Sequence, residues 1–296
     1  MRRFAMICLP YLWLVALFLV PFLIVFKISL SDIDLAIPPY TPRLDFNAGW
    51  QGFLRFWAAL DFENYVFLTS DDLYWKAYLS SLRIAFISTT LTLLIGYPIA
   101  YGIARANTEW RATLLMLVIL PFWTSFLIRV YAWMGILGTE GLLNQLLLAL
   151  GFIETPLTIL NTNWAVYIGI VYTYLPFMIL PIYASLEKLD NSLLEAAIDL
   201  GCSRLRAFWL ITLPLSKNGV VAGCFLVFIP ALGEFVIPSL LGGSRTLMIG
   251  KVLWEEFFSN RDWPVASAVA IILLLILIIP IILFQRNEQK QREGEQ

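Results

Sequence analysis

Asp190-Asn191-Ser192-Leu193-Leu194-Glu195-Ala196-Ala197-Ile198-Asp199-Leu200-Gly201-Cys202-Ser203-Arg204-Leu205-Arg206-Ala207-Phe208-Trp209-Leu210-Ile211-Thr212-Leu213-Pro214 is a polar-edged island between two long apolar runs. Ser192 followed three residues later by Glu195 has the spacing of a capping box, in which each side chain satisfies a free amide of the first helical turn. The helix it predicts runs through Ala196, Ala197, Ile198 and Leu200 and stops at Gly201, a residue suited to the left-handed position after a helix end. Ser203 can cap a second short helix through Leu205, Phe208, Trp209 and Ile211, which Pro214 closes. Two short amphipathic helices with a bend between them leave apolar side chains in need of a surface. That surface is the chain's own bundle, the lipid interface or another protein.

The flanking runs, Trp164–Leu186 and Val220–Leu241, are each long enough to cross a hydrocarbon core, which takes roughly 20 apolar residues of helix. Four more runs qualify: Ile7–Ile28, Ile84–Ala104, Ala112–Met134 and Val265–Phe284. They are continuous rather than alternating, which excludes a β-barrel. The first is too long for a signal peptide and lacks a small-residue cleavage site, so it reads as a retained anchor. Composition agrees. Of 296 residues 60% are hydrophobic and only 14% charged, too few charges to cover a water-facing surface of this size. A formal net charge of −1 argues against a nucleic-acid partner. With no histidine, His-ligated metals and Ser-His or Cys-His catalysis are excluded. Cys8, Cys202 and Cys224 are too scattered for a disulfide framework or a thiolate metal site, so no metal is expected.

Lys and Arg in the short connections orient the chain. Arg2, Arg3, Arg105, Arg111, Lys188, Arg204, Arg206, Lys217, Arg286, Lys290 and Arg292 fall on one side, whereas Gly135–Asn163 on the other contains neither residue type. The expected fold is therefore an all-α polytopic membrane protein of six transmembrane helices with both termini cytoplasmic. Residues 1–78 would form an anchor and an outer-face loop, 79–285 the transmembrane core with the cytoplasmic loop 187–217, and 286–296 a charged cytoplasmic tail. The segment Ser29–Tyr78 is too aromatic for a disordered linker and should pack on the outer face.

Glu195-Ala196-Ala197, three residues, Gly201, nine residues, then Ile211-x-Leu213-Pro214 resembles the EAA loop of the permeases of ABC importers. Further segments are similar to the permeases of polyamine importers, most closely the PotH type of the putrescine transporter. These are Pro10 to Leu30, Pro38-Pro39-Tyr40-Thr41, the run from Thr124 to Gly135, the run from Phe228 to Pro238, and Asn260-Arg261-Asp262-Trp263-Pro264. The resemblance implies the type-1 (MetI-like) permease fold in a bacterial cytoplasmic membrane. It also implies a second permease subunit in a heterodimer, two ATPase subunits and a periplasmic polyamine-binding protein. Glu195, Ala196, Ala197, Gly201, Ile211, Leu213 and Pro214 become the positions that couple to the ATPase. No cofactor is implied for this chain itself; ATP and Mg²⁺ belong to the partner ATPase, and no phosphate-binding GxxxxGK[ST] loop occurs here.

A polyamine carries an ammonium at each end, and its passage calls for carboxylates, carbonyls and aromatic faces in place of water. Glu234, about 15 residues into the fifth run and thus roughly 22 Å from its inner end, is the foremost candidate. Arg129 lies at similar depth in the third run and is a possible ion-pair partner for it; alone, it can snorkel to the outer interface. Phe228, Tyr97 and Trp123 are candidate pathway residues, with Tyr101, Tyr172 and Tyr174 behind them, although core or belt packing is the simpler account of any one aromatic. Pro98, Pro121, Pro176, Pro181 and Pro230 predict kinks. A stand-alone secondary transporter or channel for organic cations is the alternative, but it leaves the two-helix loop unexplained. A membrane enzyme lacks its cluster of nucleophile, acid and base.

Overall fold

The computed structural model describes residues 10–43, 49–244 and 246–294. Arg2, Arg3, Cys8 and the start of the first predicted span at Ile7 lie outside the described residues. By internal contacts the chain divides into two units, residues 1–78 with 249–282 and residues 79–248 with 283–296.

In the first unit α1 (Pro10–Ser29) leads into a short antiparallel ladder, β1 (Asp32–Ile33) with β2 (Tyr40–Thr41), in the register Asp32 opposite Thr41 and Ile33 opposite Tyr40. Two short helices follow, α2 (Gly49–Ala58) and α3 (Glu63–Ser70). The segment after α1 is thus structured, as its aromatic content predicts. Asn64 Nδ2 donates to the carbonyls of Ser29 (3.1 Å) and Ser31 (2.8 Å), and the Ser29 and Tyr65 hydroxyls meet at 2.7 Å. These bonds satisfy the carbonyls that a helix end leaves open. The Tyr65 hydroxyl resists ionisation because burial penalises the phenolate.

Next comes α4 (Asp72–Arg105), whose first turns, to Tyr78, belong to the first unit. The second unit continues with α5 (Thr108–Ile119), a 3₁₀ turn at Leu120–Trp123, α6 (Phe126–Leu137), α7 (Leu142–Ala149) and α8 (Asn163–Glu187). Then follow α9 (Asn191–Asp199), α10 (Arg204–Leu215), α11 (Lys217–Leu232) and α12 (Val236–Leu241). Back in the first unit are α13 (Ile249–Trp254), a π segment Glu255–Asn260, and α14 (Trp263–Gly294), which extends past residue 282.

Polarity in α4 is inverted relative to a water-soluble helix. Ser81, Ser88 and Thr92 are fully buried, while Leu79, Phe86 and Leu94 are more than 60% exposed. Small polar residues inside and large apolar ones outside form the pattern that lipid, not water, rewards. Thr92 satisfies its own hydroxyl by donating to the Ser88 carbonyl at 2.7 Å. The core of the second unit gathers Tyr97, Ala100 and Ile103 of α4 with Met178, Ile179 and Ile182 of α8 and Val227 of α11.

Close approach of α8 and α11 depends on glycine. A Cβ at Gly219 would stand 2.5 Å from the Pro181 carbonyl oxygen and 2.7 Å from Ser185 Cβ. Backbone cannot yield as a side chain can, so Gly219→Ala must prise the helices apart. We expect a loss of about 1–3 kcal/mol, read as a melting temperature lowered by several degrees in detergent. An unchanged melting temperature would show that the two helices separate freely.

Among the described residues four segments are long and apolar enough to cross a bilayer: Pro10–Ser29, Asp72–Arg105, Phe126–Ala149 and Asn163–Glu187. A fifth arises if α10 and α11, bent by 63° at Ser216, count as one span. Two of the six predicted runs are not single helices. Ala112–Met134 is interrupted between Leu120 and Ser125, where Pro121 opens a 3₁₀ turn and Thr124 turns extended. Val220–Leu241 is interrupted at Gly233–Phe235. The helices continue through Pro98, Pro176, Pro181 and Pro230, so of the five prolines only Pro121 sits at a break. The final run, Val265–Phe284, lies within α14, and the backbone of the charged tail continues this helix to Gly294.

Candidate functional site

The two-helix loop forms where the sequence places it, but its first cap differs. Asp190, in an extended conformation, accepts the Ser192 amide on its carboxylate at 2.9 Å. An ionised carboxylate in line with a helix N-terminus is a stronger acceptor than a serine hydroxyl, so the cap moves two residues upstream of the expected Ser192–Glu195 box. The same bond holds the Asp190 carboxyl below the usual carboxylate range. Glu195 is consequently exposed on the helix surface. Asp190→Ala should speed amide exchange throughout α9, whereas Ser192→Ala should leave it close to wild type; the reverse order would reinstate the Ser192 cap.

At the other end Gly201 has φ +83°, the Cys202 amide returns to the Ala197 carbonyl (2.9 Å) and the Gly201 amide to that of Ile198 (2.9 Å). These are the two bonds of a Schellman ending. Ser203 Oγ then accepts the Arg206 amide at 3.4 Å to start α10. Pro214 does not close that helix. Phe208–Thr212 widens into a π turn, which accommodates a ring without an N–H, and α10 runs on to Leu215. Leu200, Leu205, Trp209 and Leu210 are all more than half exposed, so the loop displays an apolar surface beside the exposed Glu195 and Ala196. Ile211 and Leu213 are half-buried, and Pro214 is exposed.

Elsewhere in the second unit the two helix interruptions come together. A cavity of about 590 Å³ is lined by Phe122 from the 3₁₀ turn, Phe126 and Arg129 from α6, Thr173, Tyr174 and Phe177 from α8, Pro230 from α11, and Gly233 to Val236 from the break before α12. Glu234, 8% exposed, makes that break tenable. Its Oε1 accepts the amides of Phe235 (3.1 Å), Val236 (3.0 Å) and Ile237 (3.4 Å), capping α12, and its Oε2 accepts the Tyr174 hydroxyl at 2.6 Å. The negative charge thus sits at the positive end of α12. Arg129 lies over the rings of Phe122 (5.3 Å) and Phe126 (6.0 Å), and its buried Nε has no hydrogen-bond partner. No ion pair joins it to Glu234 among the described residues. The carboxylate takes backbone amides and a hydroxyl instead.

Of the sequence candidates, Glu234, Arg129 and Tyr174 therefore share one cavity. Tyr97 lies apart, its hydroxyl 2.9 Å from Ser216 Oγ and its ring edge-on to Phe208 of the loop. Trp123 is 72% exposed beside the cavity-lining Phe122, and Phe228 is half-buried outside the lining. Phe122, Phe126, Thr173 and Phe177 escape sequence reasoning, because aromatics in apolar runs carry no signal of direction. The adjacent Gly233-Glu234 pair, a flexible residue beside a carboxylate at membrane depth, is the one signal that points to the break.

Residues 3–292 match the family described as binding-protein-dependent transport system inner membrane components. The chain belongs to that family. As a permease it is 40% identical over 280 residues to the spermidine/putrescine transport system permease protein PotB of Haemophilus influenzae, covering 95% of this chain and 92% of that protein. It is 46% identical over 224 residues to PotB of Escherichia coli K12, covering 76% and 81%. A sulfoquinovosyl glycerol transport system permease of Agrobacterium fabrum is 30% identical over 225 residues, covering 75% and 73%. Among solved structures, a chain of a bacterial alginate ABC transporter in complex with an alginate-bound periplasmic protein superposes with a TM-score of 0.70 at 15% identity, covering 97% and 93%. A chain of the MetNI methionine ABC transporter gives 0.56 at 17% identity, covering 74% and 95%. The permease thus has the MetI-like fold of a type-1 ABC importer and is an integral membrane transport subunit. The relatives at 40% and 46% identity carry the name PotB, and they do not confirm the narrower PotH-type resemblance.

Proposed function

We propose that this permease moves polyamines, putrescine and spermidine both, across a bacterial cytoplasmic membrane. In this reading it receives them from a periplasmic binding protein, pairs with a second permease subunit, and draws energy from two ATPase subunits that hold ATP and Mg²⁺. The chain crosses six times with both termini cytoplasmic: the interrupted third and fifth runs count as crossings, and α14 supplies the last. The α9–α10 loop is the cytoplasmic face that meets the ATPase, through Glu195, Ala196, Ala197, Gly201, Ile211, Leu213 and Pro214.

The observation that carries the substrate class is the Glu234 cavity. A carboxylate held at a helix break, roofed by Phe122, Phe126, Tyr174 and Phe177, offers charge and π faces to an ammonium group, and the PotB names of the relatives agree with that chemistry. Arg129 keeps the cavity from being uniformly negative, which suits cargo in transit better than cargo stored. The test is uptake of labelled putrescine and spermidine into proteoliposomes holding the whole complex, with binding protein outside and ATP inside. Uptake of both amines that needs ATP and binding protein is expected; uptake by this chain alone without ATP would favour a stand-alone transporter.

A further inference from the structure

In the first unit α2 (Gly49–Ala58) is apolar on two faces, and the fold covers only one of them. Gly52 and Phe56 face inward and are buried. Trp50, Leu54 and Trp57 have the i, i+4, i+7 spacing of a different face, and each is more than half exposed. Phe53 joins them, its ring stacked on Trp50 at 5.3 Å and edge-on to Trp57 at 6.1 Å. A lone exposed apolar residue needs no explanation, whereas a contiguous patch of large rings does. Gln51 and Arg55 are exposed between the two faces, and the helix contains no acidic residue. Three exposed acids of this unit, Asp32, Asp61 and Glu63, gather outside α2, with their carboxylates within 4.8 Å of one another.

Two contacts fix α2 against the end of α1, a segment long and apolar enough to span the bilayer. The Phe56 ring lies 5.2 Å from Lys27 Nζ, and the Asp61 amide, just past α2, donates to the Leu30 carbonyl at 3.1 Å. Lys27 donates to the Pro42 carbonyl at 2.7 Å, with its ammonium 4.1 Å from the centre of the Tyr40 ring. A lysine in the last turn of a span carries its charge out of the hydrocarbon, so this contact marks the level of the headgroups. We propose that α2 lies in the plane of the membrane surface, with Trp50, Phe53, Leu54 and Trp57 sunk among the lipids. Aromatic rings, indole above all, favour that boundary, and an in-plane helix buries its apolar face by about 5–10 Å. Arg55 beside the rings suits headgroup phosphates, and no carboxylate of the helix opposes them. The segment between α1 and α4 is then held to the bilayer by a surface helix as well as by the spans. The leaflet is the outer one in the orientation proposed above; that assignment rests on that reading, and the interfacial placement does not.

The test is nitroxide labelling of the whole complex in vesicles of phosphatidylethanolamine and phosphatidylglycerol, with Cys8, Cys202 and Cys224 replaced by alanine. Single labels are carried by Trp50→Cys, Gln51→Cys, Leu54→Cys, Arg55→Cys or Trp57→Cys. Collisions with lipid-soluble oxygen should outweigh those with a water-soluble nickel chelate at 50, 54 and 57. The preference should reverse at 51 and 55, within one turn of helix. Nickel dominating at every position overturns the proposal. So does a face open to water that is immobilised only when the binding protein is added, which hands it to that protein. Labels at 50, 54 and 57 shielded from both reagents overturn it as well and assign the face to a companion subunit. If the labelled variants fail to assemble, Trp50→Tyr with Trp57→Tyr decides, since it leaves the packed Gly52 and Phe56 in place. That variant should lose part of the quenching of tryptophan emission by lipid brominated near the headgroup, and unchanged quenching overturns the proposal. In right-side-out vesicles, reduction of the label at 51 by external ascorbate places α2 in the outer leaflet. Protection there, with the same oxygen pattern, upholds the interfacial helix and overturns the orientation alone, so the two readings can fail separately.

Discussion

Gly201→Val should leave the permease inserted and assembled yet lower substrate-stimulated ATP hydrolysis of the complex by about tenfold. At φ +83° a β-branched residue is strained by about 1–2 kcal/mol whatever space surrounds it. Space is not the obstacle: a Cβ at Gly201 would meet nothing within 4 Å. The penalty falls on a helix of two and a half turns held by one carboxylate cap and two return hydrogen bonds, so it is large relative to the local stability. Losing the Schellman ending would re-aim Ser203 and all of α10. Gly201→Asp separates the two parts of the effect, because aspartate tolerates left-handed backbone better but adds a negative charge to the surface offered to the ATPase. Glu195→Arg, at an exposed position, changes charge without touching the fold of the loop. Hydrolysis and uptake at wild-type levels in all three variants would retire the assignment of this loop to coupling.

That loop was the most legible part of the chain because its signals are local. Serine, glycine and proline act on their own backbone within a few residues, so spacing alone located both helices. Even there the competition between Asp190 and Ser192 for one amide had to be resolved by geometry. The apolar runs that became α1, α4 and α8 were equally legible, since length and hydropathy determine what can cross. What hydropathy could not convey was backbone satisfaction. Ala112–Met134 and Val220–Leu241 are as apolar as any unbroken span, yet each contains a residue that lets the helix stop. Pro121 does so by lacking an amide, and Glu234 by supplying an acceptor for three amides of the helix that follows. Sequence drew attention to Glu234 for its charge. Its hydrogen bonds reveal an architectural task beside any task toward cargo, and they alter how a mutation there must be read.

Glu234→Gln should assemble normally and lose about tenfold or more of polyamine uptake at low substrate concentration. The substitution is cleaner than at most buried acids. The glutamine carbonyl oxygen can replace Oε1 in accepting the Phe235, Val236 and Ile237 amides, so α12 keeps its cap. Its amide nitrogen falls where Oε2 accepts the Tyr174 hydroxyl, and that hydroxyl can rotate to accept instead of donate. Only the charge disappears. With Glu234 itself only 8% exposed, removing the carboxylate charge that meets an ammonium group should cost about 1–3 kcal/mol. Glu234→Ala, by contrast, strips three amides of their acceptor and should damage assembly as well, which distinguishes the cap from the charge. Arg129 supplies the control. If it depended on Glu234 for neutrality, Glu234→Gln would strand a buried guanidinium and adding Arg129→Gln would restore assembly. Without an ion pair between them, and with Arg129 lying over Phe122 and Phe126, the second substitution should rescue nothing. Wild-type uptake by Glu234→Gln would confine Glu234 to the cap of α12 and remove the carboxylate from the path of the cargo.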